Sequence, residues 1–115
     1  SELALLALKV KPDAPPLKYD WSMYFYFRTG EAEVRTRMFC YEGGRWIEDT
    51  ATGSAAGPLA AHLAPIQARF IQGKVRLAHL NVQARARELH RIEVGGTVVR
   101  VAEGRWRELY NAQNA

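Results

Sequence analysis

At 115 residues the chain has the length of one domain, enough to bury a real core and too short for two. Hydrophobic residues make up 48% and charged residues 24%, which excludes a disordered or fibrous chain, and no apolar run approaches the roughly 20 residues of a membrane span. The net charge of +4 comes mainly from arginines scattered through strand-like segments, the pattern of a solvated surface rather than a nucleic-acid footprint, and such a field favours a small anionic partner.

In chain order, residues 3–10 (LALLALKV) form an apolar run that fits a buried strand or a short helix. The start lacks a basic stretch and a small-residue cleavage site, so no leader and a cytoplasmic location are expected. KPDAPP, residues 11–16, is a breaker. Residues 21–28 alternate: Trp21, Met23, Phe25 and Phe27 on one side, Ser22, Tyr24, Tyr26 and Arg28 on the other. The Tyr24–Tyr26–Arg28 face suits domain packing better than base stacking. Thr29-Gly30 is a turn, and residues 33–40 continue as the second strand of a hairpin. Cys40 closes that strand. As the single cysteine it forms no intramolecular disulfide, and it reads as a small buried hydrophobe.

Residues 42–53 read as a loop rich in glycine and acid groups, and a helix is predicted from Ser54. Leu59, His62, Leu63 and Ile66 fall on one stripe among many alanines, the composition of a helix closely surrounded by other structure. His62 on that stripe reads as a packed core histidine, and Pro65 should end the helix. Strands are expected at 68–72 and 76–84, with Ala78, Leu80 and Val82 inward. Two more, at 88–94 and 97–102, flank a Gly95-Gly96 hairpin link. Glu103-Gly104 is a further turn before RWRELY. His79 and His90 show no metal-ligand spacing, so no metal site is expected. The predicted fold is a single α+β domain over residues 1–115, an antiparallel, barrel-like sheet wrapped around one central alanine-rich helix.

The segment Glu48-Asp49-Thr50-Ala51-Thr52-Gly53-Ser54-Ala55-Ala56-Gly57 is a strand-to-helix turn of small polar residues. Ser54 or Thr52 can cap the helix, and Gly53 permits a sharp bend or a close ligand. The amides of Ala55, Ala56 and Gly57 should point out of the helix start, where the macrodipole favours a carboxylate or phosphate. Asp49 lies just upstream, placed to give or take a proton. A helix cap that binds nothing has the same composition.

Arg37-Met38-Phe39, a glycine-containing loop, EDTATGSAAG and LAAHL, followed by Gln72-Gly73 and by IEVGGTVVRVAEG, resemble the signature of the phenazine-biosynthesis (PhzF-like) isomerases, between about Val34 and Gly104. That family carries R-x-F, E-D-P-A-T-G-S-A, an alanine-rich helix and Q-G in the same order. The resemblance implies the fold of diaminopimelate epimerase, two similar lobes with the active site between them, of which this chain is similar to the second. It implies cofactor-independent movement of a proton on a small carboxylate-bearing substrate. Asp49 would be the acid/base-assisting carboxylate and Ser54 a ligand-contacting hydroxyl. Thr52, Gly53, Ser54 and Ala55 would hold the substrate carboxylate. The family's principal base, a glutamate, belongs to the first lobe, outside this chain. The partner implied is therefore a first lobe on another chain or a second copy of this one as a homodimer. Thr50 stands where the family has proline, and Pro58 removes the amide that would return to the Ser54 carbonyl.

Overall fold

The apolar start is a helix, α1 (Glu2–Ala7), because Ser1 caps it: the Ser1 Oγ accepts from the Ala4 amide at 3.1 Å, and Glu2 complements the first turn. The computed structural model describes residues 1–16, 21–85 and 91–105. The first hairpin forms as expected. β1 (Ser22–Gly30) pairs antiparallel with β2 (Glu33–Glu42).

The expected loop at 42–53 instead contains a strand, β3 (Arg45–Asp49), paired with β2 from Glu42↔Arg45 to Met38↔Asp49. Gly43 (φ 60) and Gly44 (φ 81) form the two-residue turn between them, in the left-handed backbone such a tight link requires. The breaker at 11–16 straps the outside of β3. The Trp46 amide donates to the Pro12 carbonyl and the Trp46 indole to the Ala14 carbonyl, both at 2.8 Å.

Helix α2 (Gly53–Leu63) follows, starting one residue earlier than predicted, then β4 (Ile66–Gln72), β5 (Ala78–Ala84) and β6 (Ile92–Gly95). Because α2 is a crossover, β4 lies parallel to β2, while β5 and β6 add as antiparallel neighbours. The six-stranded sheet is thus mixed and open, and two helices pack on it, where an antiparallel, barrel-like sheet around one helix was expected. The expected Gly95-Gly96 hairpin does not close. Neither glycine takes the positive φ of a tight turn, and residues 96–105 run exposed outside any strand. The expected strand start at 88–90, with His90, and residues 106–110 of RWRELY lie outside the described residues.

One sheet face carries the main core. Ala56, Leu59 and Ala60 of α2 pack on Val34, Ile66, Ala68, Phe70, Val82 and Ala84. Burying Leu59 and Phe70 contributes about 1.5–3 kcal/mol each, and the fully buried Ala56 and Ala60 let the helix approach the sheet closely. The buried stripe leaves His62 outside it: that side chain is exposed, edge-on to the Tyr26 ring at 6.3 Å, and not the core histidine expected from the periodicity. Ile66, assigned to the same stripe, is buried but belongs to β4. The opposite face receives α1, with Leu5 buried. Among the described residues no helix is long and apolar enough to cross a membrane.

Candidate active site

β3 and β4 share one edge of β2. β3 occupies the stretch from Met38 to Glu42 and β4 that from Glu33 to Thr36. They run in opposite directions, so their carboxyl ends meet beside Arg37, Asp49 opposite Met38 and Gln72 opposite Thr36. The collision brings together residues far apart in sequence and fixes the turn into α2.

Gln72 lies at the centre of this junction and is wholly buried. Its Nε2 donates to the Asp49 carbonyl and to Thr52 Oγ1, both at 2.9 Å, and its Oε1 accepts the Thr52 amide at 3.1 Å. The Thr52 hydroxyl in turn donates to Asp49 Oδ2. Tyr24 reaches in from β1, its hydroxyl 3.2 Å from Thr36 Oγ1 and 3.5 Å from Gln72 Oε1. Burial pushes the Tyr24 phenol above its ordinary value, with the Thr36 hydrogen bond opposing the shift.

The residues singled out from sequence divide here. Asp49 is half-buried, with Oδ2 on Thr52, and Oδ1 meets no donor among the described residues. Thr52 holds the N-cap position but makes no side-chain cap bond; its hydroxyl serves Asp49 and its amide serves Gln72. Gly53 and Ser54 are exposed and Ala55 is half-buried. Because the helix begins at Gly53, the amides left open are those of Gly53, Ser54 and Ala55, and not of Ala56 and Gly57 as expected. The Ala56 amide already bonds the Thr52 carbonyl at 3.3 Å.

Sequence reasoning missed two polar residues that hold this junction, the buried Gln72 and the half-buried Tyr24. Gln72 entered only as half of the Q-G match, and Tyr24 as part of a packing face. The following glycine is legible in hindsight. Gly73 has φ 107, and a Cβ there would lie 2.3 Å from the Arg76 carbonyl oxygen. Arg37 and Glu48, read as members of separate motifs, form one ion pair on the opposite face. Cys40 is half-buried, and its thiol is pushed up by burial and then by the carboxylates of Asp49 and Glu42.

The fold and this junction define an α+β protein with a carboxylate held at an open helix start. The chain is 42% identical over 81 residues to a trans-2,3-dihydro-3-hydroxyanthranilate isomerase of Pseudomonas fluorescens and 41% identical over 81 residues to that of Pseudomonas chlororaphis. Each match covers 61% of this chain and 29% of the relative. These similarities support the PhzF-like isomerase family for the chain, which spans under a third of the length of the curated relatives it matches. No protein-family profile matches it, and no solved structure does.

Proposed function

We propose that the chain is the second lobe of a cofactor-independent isomerase that moves a proton on a small carboxylate-bearing substrate. Asp49 is its acid/base-assisting group. The open amides of Gly53, Ser54 and Ala55, with the Ser54 hydroxyl, grip the substrate carboxylate at the positive end of α2. A base on the facing lobe takes the proton from carbon, and an acid in the closed cleft returns one at another carbon, so the substrate is isomerised with no net gain or loss. Positioned acid–base groups of this kind contribute about 10²–10⁴-fold each. The observation that carries the reading is the pairing, on one turn, of a carboxylate oriented by Thr52 with helix-start amides that no protein acceptor engages among the described residues. The exposure of Gly53 and Ser54 suits a cleft closed by a second body.

The test uses trans-2,3-dihydro-3-hydroxyanthranilate, the substrate in the relatives' names. The chain alone should not turn it over. Adding the first lobe of the Pseudomonas fluorescens relative should restore turnover, and Asp49→Asn should abolish the rescue. Rescue that survives Asp49→Asn would remove Asp49 from the mechanism.

A second reading is favoured by the exposed apolar surface. Val98 and Val101 are 89% and 92% exposed. In that reading two copies of the chain pair as a homodimer and bind a small anionic ligand, catalytically weak without the glutamate base. A clean monomer by light scattering at micromolar concentration would end it.

A further inference from the structure

We infer that Gln72 is a positioning residue for Asp49, acting through Thr52; the inference rests on the proposed role of Asp49. The chemistry of the partners fixes which way the Gln72 amide faces. The Thr52 amide can only donate and the Asp49 carbonyl can only accept, so Oε1 must face the first and Nε2 the second. Nε2 therefore also donates to the Thr52 hydroxyl oxygen. With its oxygen accepting from Gln72, the Thr52 hydroxyl directs its own proton to Asp49 Oδ2. The chain of donors thus has one direction, from Gln72 through Thr52 to Asp49. It ties down one carboxylate oxygen and leaves Oδ1 for the reacting proton.

The same geometry withdraws Thr52 from ligand contact. Its amide is held by Oε1 and its hydroxyl by Asp49, so a carboxylate arriving at the helix start meets the Gly53, Ser54 and Ala55 amides. Gln72 comes from β4, on the far side of the crossover helix, so the orientation of the turn is locked to the sheet and not to the loop's own composition.

The experiment is nuclear magnetic resonance on the full chain, isotopically labelled, with benzoate as the carboxylate probe. The Thr52 amide should exchange with solvent at least roughly tenfold more slowly than the Gly53 amide. Gln72→Met should erase that protection while the Ala56 amide, bonded to the Thr52 carbonyl, keeps its own. Thr52→Val should shift the Asp49 Cγ resonance yet leave the backbone amide at position 52 protected, and Thr52→Ser should restore the wild-type Asp49 signal. A merely structural contact would not produce rescue by serine alone. Should Gln72→Met fail to fold, the valine and serine pair at position 52 carries the test. Equal exchange of the Thr52 and Gly53 amides in the wild type, or an Asp49 signal indifferent to Thr52→Val, would overturn the inference. Benzoate should shift the Gly53, Ser54 and Ala55 amides and spare Thr52. If it shifts none of them while the relay signatures hold, the relay stands and the anion-binding reading fails.

Discussion

Arg37 clasps Glu48 at two points, Nε to Oε1 at 2.8 Å and Nη2 to Oε2 at 2.9 Å, and its Nη1 donates to the carbonyls of Leu5 at 3.0 Å and Leu8 at 2.8 Å. One buried guanidinium therefore joins β2 to β3 and closes the carboxyl end of α1. The Phe39 ring lies 4.9 Å beneath it. Arg37→Leu should leave Glu48 and the Leu8 carbonyl without this partner, while the Leu5 carbonyl keeps the Leu8 amide, at a cost of about 2–4 kcal/mol after allowing for the partly exposed Glu48. Urea unfolding checks this. Arg37→Lys should recover little, because an ammonium cannot make the forked contact.

Tyr24 gives a pH signature. Burial raises its phenol in the folded chain above the ordinary value near 10, so above that pH the unfolded chain loses a proton that the folded one keeps. The stability it contributes is therefore full below about pH 10 and falls as pH rises toward the folded value. Unfolding curves between pH 9 and roughly 11.5 should show a steeper decline for the wild type than for Tyr24→Phe. Parallel declines would mean that the phenol does not ionise differently in the two states.

Cys40 reports on the charge of Asp49. Its thiol is pushed up first by burial, then by the Asp49 and Glu42 carboxylates. Neutralising Asp49 should ease thiolate formation, so Asp49→Asn should speed alkylation by iodoacetamide about two- to threefold near pH 8. An unchanged rate, with the fold intact, would separate the two groups electrostatically.

Gly73→Ala tests the junction from its other side. The left-handed φ of 107 and the 2.3 Å approach of a Cβ to the Arg76 carbonyl are both intolerable to alanine. The Gly73 amide also bonds the Thr36 carbonyl at 3.0 Å, so the strain falls directly beside Gln72. A loss of about 2 kcal/mol or more is expected in denaturant unfolding.

Local pattern made much of the architecture readable. The alternation at 21–28 defined the first hairpin. The alanine-rich run defined the crossover helix to within a residue at its start, and Pro65 lies just past its end. Strand β3 was obscured because glycine and acid groups describe a loop by composition, although Gly43-Gly44 is the tight link of a hairpin. His62 was misassigned because a helical stripe at 3.6-residue spacing has an edge, and one position of rotation turns a core side chain into an exposed one.

The sequence by itself determined where the acid, the small residues and the helix start would fall, since capping, glycine freedom and periodicity act over a few residues. It did not determine what holds them. Asp49, Thr52 and Gln72 meet because β3 and β4 converge end to end on one edge of β2, and Arg37 finds Glu48 through the β2–β3 register. Hydrogen bonds of this kind act over about 3 Å in space, at whatever separation along the chain the packing of strands brings their partners together.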